Sequence, residues 1–134
     1  MFKLIKIQNS GVNVPEPQKL EKPLTLTVKA GDALIIENGI AAACPLTTAP
    51  THIAFSSGKY GDLYVNAYAV NENMLFETYV NAEPTSLMLG QKVTLGKDSS
   101  NSVCCVSATT ASGVATIVDL MEAESIGDKI TVKF

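Results

Sequence analysis

An all-β fold is predicted for this chain: a compact β-barrel or β-sandwich of short antiparallel strands, with an extended, proline-bearing N-terminal segment. Three observations predict it. Strand formers (Val, Ile, Thr, Tyr, Phe) recur in short blocks separated by Gly, Asn, Asp, Ser and Pro. A glycine followed by a polar residue opens an apolar run at Gly31-Asp32, Gly90-Gln91 and Gly127-Asp128. Glycine reaches positive φ without steric cost, so each reads as a tight turn feeding a strand. Finally, about ten short strands at close spacing favour a barrel or sandwich over one open sheet, which would expose long edges.

In chain order, Phe2–Ile7 reads as a first strand with apolar residues on both faces. Residues 8–23 lose periodicity and carry Pro15, Pro17 and Pro23, which fix φ and remove donors. They are expected to form an extended arm or long loop, and segments of that kind often bind. Leu24–Lys29 alternates, predicting a strand with Leu24, Leu26 and Val28 inward. Ala33–Glu37 and Ile40–Cys44 flank Asn38-Gly39, the strongest short hairpin signal. His52–Ser56 is a short strand. Leu63–Val70 and Met74–Val80, joined by Asn71-Glu72-Asn73, pair most simply as an antiparallel hairpin. Lys92–Leu95, Val103–Ser107, Val114–Asp119 and Lys129–Phe134 complete the strands. Leu120–Ser125 alone has helix character, about one turn of it.

The 134 residues, 46% hydrophobic and 17% charged, predict one domain over residues 1–134 rather than a disordered chain. All ten positive charges are lysines and the net charge is −3, so neither a basic excess nor guanidinium forks exist for nucleic-acid recognition. The N-terminus is too interrupted by lysine for a signal peptide. The longest apolar run, Ile40–Leu46, contains Pro45 and cannot span a bilayer. The chain is therefore expected to be made and kept in the cytosol until something else exports or releases it, with no membrane partner.

Candidate chemistry is sparse. His52 is the lone histidine; Ser56, Ser57 and Asp62 lie near it, without a nucleophile elbow. Cys44, Cys104 and Cys105 give an odd count and no metal-ligand spacing, so reduced structural thiols are expected. Acid pairs at Glu72/Glu77 and Glu122/Glu124 lack any sign of a cleft, and no phosphate-binding loop is present. No enzyme activity, metal or cofactor is expected. Tyr60, Tyr64 and Tyr68 form the one aromatic cluster, the feature a surface-binding adhesin or fibre domain would need. Strands apolar on both faces (Phe2–Ile7, Ala33–Ile36, Leu63–Val70) suggest more apolar surface than one core hides, hence a homo-oligomer.

The order of these pieces resembles the head decoration, or cement, proteins of tailed bacteriophages and prophages. The resemblance runs through Lys29-Ala30-Gly31-Asp32 and its Asn38-Gly39 hairpin, then Pro50–Ala54, Met74–Thr78, Gly90–Leu95 and Gly127–Phe134. It implies a structural virion protein on the capsid exterior that binds the major capsid protein, often as a trimer, and stabilises the shell without catalysis. It also implies that the arm touches the shell, with Val12, Val14, Pro15, Pro17 and Leu20 as its contact positions.

Overall fold

The computed structural model describes residues 1–8 and 15–134. It is all-β, with no helix among the described residues. The strands are β1 (Lys3–Ile7), β2 (Gln18–Glu21), β3 (Ala33–Glu37), β4 (Ile40–Ala43), β5 (His52–Ala54), β6 (Tyr64–Ala69), β7 (Met74–Tyr79), β8 (Lys92–Val93), β9 (Leu95–Lys97), β10 (Val103–Val106), β11 (Ala115–Asp119) and β12 (Lys129–Lys133). One sheet has the order β1-β7-β12-β11-β8, a second β2-β6-β5-β3-β4, and β9 and β10 form a two-stranded ladder. Every ladder is antiparallel. The barrel alternative is not realised: the sheets stay open at their edges.

The chain folds one plan twice. In the first unit β2 to β6 pair in the order β2-β6-β5-β3-β4. In the second, β8 and β9 are separated by Thr94 alone, and with them as one bent strand the order is β7-β12-β11-β8/β9-β10. Backbone hydrogen bonds repeat residue for residue. Thr51 N–H donates to Leu34 (3.0 Å) and Ala54 N–H to Asp32 (2.9 Å) in the first unit. Val114 N–H to Val93 (2.9 Å) and Ile117 N–H to Gln91 (2.8 Å) take their places in the second. Gly31 N–H to Ala54 (2.8 Å) matches Gly90 N–H to Ile117 (2.9 Å), and Gly61 N–H to Leu24 (2.8 Å) matches Gly127 N–H to Val80 (2.8 Å). Strand β1 belongs to neither unit; it is an added strand on the edge of β7.

The glycine-led turns punctuate both units, and Gly61-Asp62 is a fourth copy. The four glycines have φ of +88°, +88°, +82° and +94° at Gly31, Gly61, Gly90 and Gly127. Each following residue closes the turn twice. Its N–H donates to the carbonyl three residues back, and its side chain accepts from that residue's N–H: Asp32 from Lys29 (2.8 Å), Asp62 from Lys59 (2.7 Å), Gln91 from Met88 (2.9 Å) and Asp128 from Ser125 (2.9 Å). The sequence pattern is thus a turn with a built-in side-chain lock.

Two of these locks titrate in opposite senses. Asp128 accepts N–H groups from Glu124 and Ser125, which hold its carboxyl below the ordinary 3.8. Its stabilisation is present above about pH 3.8 and is lost as pH falls through the lower folded value. Asp32 is buried and its Oδ1 finds no hydrogen-bond partner among the described residues; burial raises its pKa despite the Lys29 N–H. Its carboxylate therefore costs stability increasingly as pH rises above 3.8. At the equivalent place the second unit carries neutral Gln91, closing the same turn. D32N is expected to raise the urea midpoint at neutral pH and D128N to lower it, both differences shrinking near about pH 3. Equal signs for the two variants at neutral pH would refute this assignment.

The second sheet is buried on both faces where β3 and β5 run. Ala33 and Ile53 enter a large core with Phe76, Val93, Leu95, Val106, Ile117, Ile130 and Val132, and Ile35 packs against it. Leu34 and Ala54 point the other way, into a small core with Val28, Ala41, Val65 and Ala67, against which Leu20, Leu26 and Ile36 pack. The two-sided apolar pattern of Ala33–Ile36 is covered within this one chain.

Four expectations are corrected. Leu24–Lys29 is not a strand: Val28 makes an isolated bridge to Gly58, and Leu24 is 49% exposed. Leu26 N–H turns back to Pro23, which breaks the extended run. Strands β6 and β7 do not pair; their short link crosses between sheets, because β6 lies between β2 and β5 while β7 lies between β1 and β12. Leu120–Ser125 is not helical, since Met121 and Glu122 are left-handed at φ +50° and +60°. Within residues 8–23, Gln18–Glu21 is strand β2 rather than loop, an edge strand that tolerates the prolines around it. Lys22 follows it, buried, its ammonium on the carbonyls of Leu26 (2.7 Å), Lys59 (3.0 Å) and Pro23 (3.4 Å).

Candidate functional site

The second unit covers the outer face of the second sheet over β3 and β5 but not over β6 and β2. Strand β6 alternates strictly: Val65 and Ala67 enter the small core, while Tyr64 and Asn66 are exposed and Tyr68 is half-buried. Lys19 of β2 is in register with Asn66, so it shares that outer face. Its Nζ lies 4.3 Å from the centroid of the Tyr64 ring. Phe55, just past β5 and 52% exposed, packs edge-on to Tyr68 with ring centroids 5.0 Å apart. Phe55 N–H is fixed by the Asn66 carbonyl at 2.8 Å. Three aromatic rings, an amide and an ammonium thus stand together on this face of the sheet. That set can bind a flat, amphipathic partner by stacking and hydrogen bonding. The strand alternation made Tyr64 and Tyr68 legible in the sequence; Phe55 and Lys19 were not, because they come from other strands.

The arm positions are split. Val12 and Val14 lie outside the described residues. Pro15 is half-buried and Pro17 exposed. Leu20 sits in β2 and packs against the small core, so its side chain faces this chain's own interior.

The other candidates are engaged separately. Around the buried His52 ring, Nδ1 is 2.9 Å from Thr51 Oγ1 and Nε2 is 3.1 Å from Gln18 Oε1, and burial lowers its pKa. Asp62 closes the Lys59 turn and Ser57 Oγ accepts from Ala30 N–H at 3.4 Å, so neither approaches the imidazole as a catalytic partner in these contacts. The three thiols are free and buried. Cys44 donates to the Thr48 carbonyl (3.1 Å), and burial pushes it up to about 12 and Cys105 to about 11. Vicinal Cys104 and Cys105 are both buried, Cys104 beside the Tyr79 hydroxyl at 3.8 Å. Among the described residues no three His, Cys, Asp or Glu side chains converge on a point that could hold a metal ion. Glu77 pairs with Lys129 at 2.8 Å, which helps hold its carboxyl below the usual range.

No family model matches the chain, and no curated protein matches it significantly. Among solved structures, its fold is similar to the N base of the head fiber gp8.5 of bacteriophage phi29. The likeness covers 88% of this chain and 92% of that one, at 17% identity and a TM-score of 0.56. With so little identity, what the two chains share is the all-β architecture over nearly their whole lengths.

Proposed function

We propose that this chain is a non-enzymatic structural protein of a phage or prophage virion, which binds the outside of the head through the major capsid protein and stabilises the shell. The observation that carries the reading is the near full-length fold likeness to a base domain of a phage head fiber. Supporting it, side chains lock the glycine-led turns, every cation is a lysine, and the histidine and the three thiols are buried. In this reading the protein is a homo-oligomer, with a trimer favoured. Purified protein mixed with empty expanded heads lacking it should sediment with them at micromolar concentration. Failure to co-sediment would remove the decoration role.

A second reading is favoured by the Phe55/Tyr64/Asn66/Tyr68 face: a fibre or adhesin domain that recognises a host surface. It predicts binding on a glycan array that disappears when Tyr64 and Tyr68 are both replaced by alanine. An array without signal removes its carbohydrate form.

A further inference from the structure

Strand β1 is the added strand on the edge of β7, and its own outer edge is unpaired among the described residues. It is anchored at both ends, by Phe2 N–H to Gly31 (3.0 Å) and by Gln8 N–H to Asn73 (2.6 Å). A bulge between Leu4 and Lys6 resets its alternation. Phe2 therefore stays buried while Ile5 is 46% exposed. Between this edge and the first unit runs a groove of about 600 Å³, floored by Phe76 and walled by Ile5, Phe55 and Tyr68. Lys3 and Lys6 border it as well, but their register with Glu77 and Leu75 puts their side chains on the face of β1 opposite Leu4 and Phe76. Both lysines are exposed and neither makes a close ion pair among the described residues; Lys3, opposite Glu77, is a secondary charge beside the Glu77–Lys129 pair. The open edge of β1 thus has an apolar groove on one face and two lysines on the other, in a protein whose net charge is −3.

We infer that this groove is a strand-addition site for an extended peptide segment of a partner protein, one that alternates apolar and acidic residues. The edge of β1 supplies main-chain donors and acceptors. Apolar side chains of the incoming strand meet Ile5, Phe55 and Tyr68, and its carboxylates meet Lys3 and Lys6. Strand β7 already carries one added strand, β1, on this side of the sheet. A second copy of the chain is a poorer occupant, because pairing β1 with β1 would gather four lysines along one seam.

The test uses the full chain and a fluorescein-labelled eight-residue peptide alternating valine and glutamate. Anisotropy should rise saturably, and the K3E/K6E double variant should weaken binding by about tenfold or more. The same peptide with lysine for glutamate should not bind, and one N-methylated at alternate residues on the pairing side should lose binding. No saturable rise, or undiminished binding of the N-methylated or the lysine peptide, overturns the inference. So does a dimer of the unliganded chain that K3E/K6E dissociates, which would assign the groove to a second copy.

Discussion

Replacing Phe76 by alanine is expected to lower the free energy of unfolding by about 3–5 kcal/mol, the range for truncating a fully buried aromatic. Phe76 is 0% exposed and sits mid-strand in β7, in register with Leu4 of β1 on one side and Val132 of β12 on the other. Its ring lies 5.5 Å from that of Phe134, which in turn stacks edge-on to Phe2 at 5.3 Å. The ring is therefore common to the added strand, the closing strand and the large core. Truncation leaves a cavity that three strands pinned by ladder bonds cannot collapse to fill. The leucine variant should cost less than half as much, because it refills most of the volume. Urea denaturation at constant m value measures both; a loss below about 1.5 kcal/mol for alanine would mean the site relaxes and the three-strand junction is soft.

Gly113→Ala is expected to cost about 3 kcal/mol through a different mechanism, overpacking against backbone. A Cβ there would lie 2.3 Å from the Lys92 carbonyl oxygen, 2.4 Å from its carbon and 2.7 Å from Val93 N. No side chain can swing aside; β8 itself would have to retreat from β11, breaking the Ala115–Val93 and Thr116–Lys92 register and the Val114 N–H bond to Val93. Gly39→Ala is the control. It has φ +80° and nothing within 4 Å, so it suffers only left-handed strain of roughly 1–2 kcal/mol. If the two variants unfold at the same urea midpoint, close approach at Gly113 is not what fixes that position.

Local chemistry in the sequence announced the hairpin at Asn38-Gly39, and the structure has it: both residues are at positive φ and Glu37 pairs with Ile40 across a two-residue turn. The same holds for the glycine-led turns, to which the structure adds the Lys59–Asp62 copy. Strand partners were less legible. The short link between β6 and β7 suggested a hairpin, yet each strand found two other neighbours. Leu24–Lys29 alternated like a strand, but Val28 alone is fully buried there, and the backbone bonds of the segment go to Gly58, Gly61, Pro23 and Asp32 rather than along a strand ladder. For the candidate site, strand alternation put Tyr64 and Tyr68 on one face, while Phe55 and Lys19 joined them through pairings between distant segments.

What the sequence determined by itself was the all-β class and the places where the chain reverses. A turn is settled within four residues, by a glycine that can reach positive φ and an Asp or Gln that can close the loop. Tertiary structure alone decided that one five-strand plan is used twice, that β3 and β5 are buried on both faces between two cores, and that β1 is left over as an open edge beside an apolar groove. The reason is that an alternating strand has period two and fits any partner of the same pattern. Which one it takes is set by competition for apolar cover across the whole chain.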